Sequence, residues 1–162
     1  MTERRTFDWN NEDDFAALPT EDANEVVPHL IQADADMTPE RAWQEGASVV
    51  VNLAGWMKET VKVPDGCMYL AWSFDDDPKR LPDTDVLRGL AKMLASRVKA
   101  EQTVVVHCAA GLNRSGLLVG QTLIELGHSP AGAVALVRGA RGKWALSNVL
   151  FEIGRASCRE RV

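Results

Sequence analysis

An α/β domain is predicted: a central, mainly parallel sheet of four or five strands with helices on both faces. Three observations carry this expectation. Residues 48–53 and 103–106 are short apolar runs dominated by valine, the composition of strands buried on both faces rather than one. Apolar residues at helical spacing fill the intervals, with Val86, Leu87, Leu90, Leu94 and Val98 in one stretch and Leu117 to Leu126 in another. The strand at 103–107 then passes through a loop of small residues directly into a helix, so that loop lies at the carboxyl edge of the sheet.

Taken in order, residues 1–24 are polar and acidic, with Phe7, Trp9 and Phe15 scattered among them. They form either a solvated leader, the reading favoured here, or a cap that docks its aromatics on the core. A first strand is expected from Glu25 through Ile31, kept at an edge by Pro28, which cannot donate to a ladder. His29 is read as a surface or turn residue. Thr38-Pro39-Glu40 is an N-cap, a first-turn proline and an acid, opening a helix to Glu45 that Gly46 ends. The strand at 48–53 leads into a connection at 54–66, where Trp56 and Met57 either line a cleft or pack. A strand at 67–72 is followed by a loop rich in acid and proline. Asp83 then caps a helix to Lys99. After the strand at 103–107, a helix begins near Arg114, with Gly116 and Gly120 allowing close approach to the sheet, and Gly127 stops it. His128 sits in the joint. Ser129-Pro130 opens a helix to about Arg138.

At 162 residues the chain suits one domain, and its 46% hydrophobic and 25% charged content is that of a globular protein. No apolar run is long enough to span a membrane, and the polar start lacks the apolar stretch of a secretory signal. Cysteines at 67, 108 and 158 form no zinc or disulfide spacing, which fits a reducing, cytoplasmic setting. Cys67 is read as a packed thiol, with a reversible disulfide to Cys108 as the minor alternative. The net charge is −5, with eleven Asp or Glu in the first forty residues. This acidity argues against nucleic acid or an anionic membrane as partner. A monomer is expected.

Chemistry concentrates at 104–116. Cys108 stands at the strand end, and Ala109, Ala110 and Gly111 leave the backbone free to wrap an anion, with Gly111 able to take positive φ. Inward N–H groups of Ala109, Ala110, Gly111, Leu112 and Asn113, together with the helix N-terminus near Arg114, make an anion cradle that also favours a thiolate. Arg114 supplies a planar fork for two oxyanion oxygens. Ser115 is placed to donate to the sulfur as it leaves, and His107 to orient the loop through its ring N–H.

The run His107-Cys108-x5-Arg114-Ser115-Gly116 resembles the signature of cysteine-dependent protein tyrosine phosphatases, specifically the compact dual-specificity branch, and the resemblance covers about residues 25–151. It implies a protein tyrosine phosphatase-like fold, a bacterial or phage-type compact member, and hydrolysis of phosphotyrosine and other phosphomonoesters, in phosphorylated proteins or small molecules, through a phosphocysteine. No metal or cofactor is implied. It also implies a general acid on the loop after the strand at 67–72. Matching Trp72-Ser73-Phe74-Asp75-Asp76 to that loop places the acid at Asp76, with Asp75 and Asp77 open. Val137, Arg138, Arg141, Asn148 and Phe151 match a segment that opens a last helix beside the site. Arg141 there meets substrate, steadies the loop or faces solvent. Leu112-Asn113 also resembles RNA 5'-triphosphatases of the superfamily, and a phosphopeptide-binding pseudophosphatase is the alternative from another class. Residues 152–162 resemble a translated sequencing adapter and are set outside the domain.

Overall fold

The computed structural model describes residues 7, 8, 10–55, 60–148, 151 and 153. Trp9, Trp56, Met57 and Cys158 lie outside these. A five-stranded sheet runs in the order β1-β2-β5-β3-β4, where β1 is Ala23–Val27, β2 Leu30–Ala33, β3 Val49–Asn52, β4 Met68–Ala71 and β5 Val104–His107. The β2–β5, β5–β3 and β3–β4 pairings are parallel and β1–β2 is antiparallel.

The valines behave as a two-sided strand requires. Val49, Val51, Val104 and Val106 face a large apolar cluster with α3 (Thr84–Lys99), α4 (Arg114–Glu125) and α5 (Pro130–Arg141), while Val50 and Val105 face a smaller one with Met37 and Ala42. Ala42 belongs to α2 (Pro39–Gln44), so helices cover both faces. The predicted caps are in place. Thr38 Oγ1 accepts from Arg41 N, Asp83 Oδ1 from Asp85 N and Val86 N, and Ser129 Oγ from Gly132 N. Each satisfies helix N–H groups that otherwise have no partner.

Two expectations are corrected, and one minor alternative falls. The single strand at 25–31 is a hairpin: Val27 pairs with Leu30 across Pro28-His29, and His29 takes φ 69°. Proline at the first turn position and a positive-φ residue at the second fit a tight turn, which apolar content alone does not reveal. The helix opened by Pro130 continues to Arg141, one turn further than predicted, and among the described residues no helix follows it. Cys67 and Cys108 cannot bridge. Cys67 immediately precedes β4, whose Met68 pairs with Val49 at the strands' amino end, whereas Cys108 follows His107 at the carboxyl end, four residues of strand away. At about 3.3 Å per residue that separation is well beyond disulfide reach.

The arm is not a free leader. Asn11 caps a short helix α1 (Glu12–Ala16), and Phe7 packs edge-on against Phe15 and Trp144, with centroids 5.7 and 5.2 Å apart. Ile153, inside the segment set aside from the fold, packs over Gly120, where an added Cβ would lie 2.4 Å from its Cδ1.

Candidate active site

The 108–113 loop is wired from outside through its carbonyls. Ala35 N donates to Ala109 O at 3.0 Å, Leu146 N to Leu112 O at 3.2 Å and Leu117 N to Asn113 O at 2.8 Å. Arg141 Nη2 reaches Ala110 O at 3.3 Å, while its Nε and Gln32 Nε2 both reach Gly111 O at 3.0 Å. With the carbonyls turned outward, no backbone N–H from Ala109 to Ser115 donates to a protein acceptor among the described residues. Peptide groups have two ends, so a loop held by its C=O groups presents its N–H groups to the space it encloses. Gly111 is required for this path. Its φ is +67°, and a Cβ there would lie 2.5 Å from Arg141 Nη2 and 2.7 Å from the Ala33 carbonyl carbon.

Arg141 is 1% exposed, so the solvated-face reading is wrong and it steadies the loop. Its Nη1 also donates to Glu21 O at 2.7 Å and Asn24 Oδ1 at 2.9 Å, joining the loop to the N-terminal arm. Burial pushes its pKa down, while Asp34, 3.9 Å away, acts to keep it charged. Burying a guanidinium is costly unless its donors are satisfied, and here they are spent on neutral carbonyls that thereby cannot turn inward. The rest of the basic cluster is also engaged. Arg138 Nε donates to Ala145 O, and Lys143 Nζ stands 5.3 Å over the Trp144 ring.

Cys108 is 2% exposed, and its Sγ lies 3.3 Å from Ser115 Oγ. Gln32 Nε2 donates to that same hydroxyl oxygen at 3.2 Å. Cys108 Sγ and Gln32 Nε2 thus both donate to Ser115 Oγ, and once the sulfur is a thiolate the serine's own proton is free to turn toward it while the amide holds one lone pair. Gln32, fully buried on β2, carries no motif or periodicity that marks it in the sequence.

Arg114 opens α4 as predicted. Its Nη1 makes long contacts with Leu53 O at 3.5 Å and Phe74 O at 3.4 Å, and its buried Nε has no partner among the described residues. An unpartnered guanidinium donor beside free backbone N–H groups is the arrangement an oxyanion satisfies. Asn113 occupies the N-cap position yet makes no side-chain cap, which leaves the helix N–H groups open.

Asn113 is spent on the acid loop instead. Its Oδ1 accepts from Ser147 N at 2.8 Å, which fixes the amide's orientation, and its Nδ2 donates to Asp76 Oδ2 at 2.8 Å. Asn148 Nδ2 donates to the other oxygen, Asp76 Oδ1, at 2.7 Å. Of the three neighbouring carboxylates, Asp76 shares a cavity of about 280 Å³ with Cys108. Asp77 Oδ1 instead accepts from Lys79 N in a local turn, and Asp75 does not line that cavity.

His107 differs from expectation. Its ring is fully buried, and neither nitrogen has a hydrogen-bond partner among the described residues, so it does not orient the loop through a ring N–H. Burial drives its pKa below the usual 6.5; the Cys108 backbone opposes this from nearby but without hydrogen-bond geometry. A larger groove of about 420 Å³, between α5 and Phe151 and Ile153, contains none of the candidate catalytic residues.

No family model matches the chain. Protein tyrosine phosphatase PRL-1 of Trypanosoma cruzi is 37% identical over 87 residues, covering 52% of this chain and 48% of that protein. The type IVA 2 protein tyrosine phosphatase of mouse is 34% identical over 79 residues, covering 48% and 46%. The chain thus spans about half the length of the curated relatives it matches. Both are eukaryotic, and the expected bacterial or phage-type source finds no support in them. The crystal structure of a mouse putative dual specificity phosphatase superposes with a TM-score of 0.65 at 22% identity, over 86% of this chain and 92% of that one. The fold is therefore that of the dual-specificity phosphatases, and about half of the chain resembles protein tyrosine phosphatases in sequence. Among the described residues no helix is long and apolar enough to cross a membrane.

Proposed function

We propose that the chain is a cysteine-dependent phosphatase that hydrolyses phosphomonoesters, phosphotyrosine foremost, through a phosphocysteine intermediate. The observation that carries this reading is the loop after Cys108, whose carbonyls are all taken from outside and whose N–H groups are left for an anion. The Cys108 thiolate attacks phosphorus in line, while Arg114 and the N–H groups of residues 109–113 hold the equatorial oxygens. Asp76 gives its proton to the leaving oxygen as the P–O bond breaks. Asp76 then takes a proton from water, which attacks the phosphocysteine; the S–P bond breaks with its electrons on sulfur, stabilised by the Ser115 hydroxyl. These steps call on no metal or organic cofactor. The reaction suits a reducing compartment, where Cys108 stays a thiol, and a phosphorylated protein as substrate.

Turnover of an aryl phosphate by the purified chain in excess chelator, with Cys108→Ser alongside, tests this. Activity that the substitution abolishes is the expected result. Absence of turnover by folded wild-type protein overturns the reading.

A further inference from the structure

We infer that the N-terminal arm is part of the substrate site: Phe7 and Leu18 form, with Trp144, an apolar wall that receives the organic group of an aromatic phosphomonoester. The inference rests on the phosphatase reading and adds what selects the substrate.

The cavity that holds Cys108 and Asp76 is also lined by Phe7, Leu18, Trp144 and Leu112. Phe7 and Leu18 come from the segment before β1, outside the sheet and helices that build the anion loop. The wall is anchored at several points. Phe7 stands edge-on to Trp144, which is 6% exposed, and Phe15 braces it from α1. The Asp8 N–H is taken by Asp14 Oδ2 at 2.9 Å, and Leu18 N donates to Phe15 O at 3.1 Å. Further along, Arg141 holds Glu21 O with the same guanidinium that holds Ala110 O and Gly111 O. Arg141 therefore links the segment that carries the wall to the anion loop.

A phosphoryl group held by the loop projects its ester oxygen toward Asp76, and what is attached to that oxygen enters the 280 Å³ space beside Phe7 and Leu18. Aromatic rings pair edge-to-face or offset with a gain beyond area burial, and none of the residues lining the space is basic. A flat apolar group fits this chemistry; a polyanionic one such as an oligophosphate does not.

The test uses the full chain and two phosphonates that differ only in the organic group, phenylphosphonate and methylphosphonate, with affinities measured by calorimetry. Wild-type protein is expected to prefer phenylphosphonate by about tenfold. Phe7→Ala and, separately, Leu18→Ala are expected to reduce that ratio at least threefold while methylphosphonate binding persists. Equal affinity of wild-type protein for both phosphonates overturns the wall but leaves the phosphatase reading standing. Failure of wild-type protein to bind either overturns both. A ratio unchanged in Phe7→Ala and Leu18→Ala likewise overturns the assignment to the arm.

Discussion

In the 108–113 loop, each carbonyl from Ala109 to Asn113 is fixed by a donor outside the loop, drawn from β2, the 34–36 turn, α4, α5 and the 142–148 turn. The 73–82 loop is tied at its tip by two side-chain amides on one carboxylate, and at its root by Phe74, packed between Trp72 and Phe151 with centroids 4.7 and 6.1 Å away. The contrast follows from what each end must do. An oxyanion cradle stabilises developing charge only if its dipoles are set beforehand, so backbone is pinned by backbone and by a buried arginine. A proton donor needs correct placement of one group, and two amides suffice.

The anion loop is most sensitive to change at Gly111. Gly111→Ala introduces a Cβ at positive φ against Arg141 and Ala33, and is expected to lower kcat/KM on an aryl phosphate more than about 100-fold, with a stability loss of about 2–4 kcal/mol in urea unfolding. Near-normal activity would show that the loop's path is not fixed. Next is Asp76→Asn, expected to reduce kcat by about 100-fold on an ester with a poor leaving group and far less on one with a good leaving group. Asp75→Asn and Asp77→Asn should stay close to wild type; a large effect at either would move the acid.

A subtler contrast concerns Gln32. Without its N–H on Ser115 Oγ, the hydroxyl loses its bias toward the sulfur. Gln32→Leu is expected to slow phosphocysteine breakdown by about tenfold, so rapid-mixing traces should show a larger burst above a slower steady state. An unchanged burst with uniformly lower rates would make Gln32 merely structural.

The smallest effect is on stability. Burial lowers the His107 pKa below 6.5, so as pH falls through 6.5 the unfolded chain takes up a proton that the native state refuses. Stability is then full above that range and falls below it, by at most about 1.4 kcal/mol per pH unit. Urea midpoints between pH 7.5 and 5.5 should decline more steeply for wild type than for His107→Gln; parallel curves would remove His107 as the cause.

The parallel sheet was legible because Val49–Asn52 and Val104–His107 carry no polar residue on either face until their last position. The caps at Thr38, Asp83 and Ser129 and the positive φ of Gly111 follow from local chemistry and were legible too. What was hidden depends on distant partners. The apolar run Val26-Val27 and Leu30-Ile31 across Pro28-His29 is equally apolar straight or folded back. Gln32 sits in a strand, and nothing local says that Ser115 waits across the sheet end. Arg141 has the composition of a surface residue, and only five acceptors from three parts of the chain make its burial tolerable. Phe7 in an acidic leader gives no sign of Trp144.

The order of strands has a consequence for how the molecule is made. β5, the last strand among the described residues, occupies the middle of the sheet, where Val104 pairs with Leu30 on one side and Val49 on the other. During synthesis the β1–β2 hairpin and the β3–β4 pair each wait with an unpaired edge, Leu30–Ala33 in one and the valine-rich Val49–Asn52 in the other, the condition in which nascent chains associate wrongly. Contacts this distant in sequence also close slowly. The nucleophile is carried out on the strand that ends the wait, so reactivity at Cys108 marks the completion of the sheet.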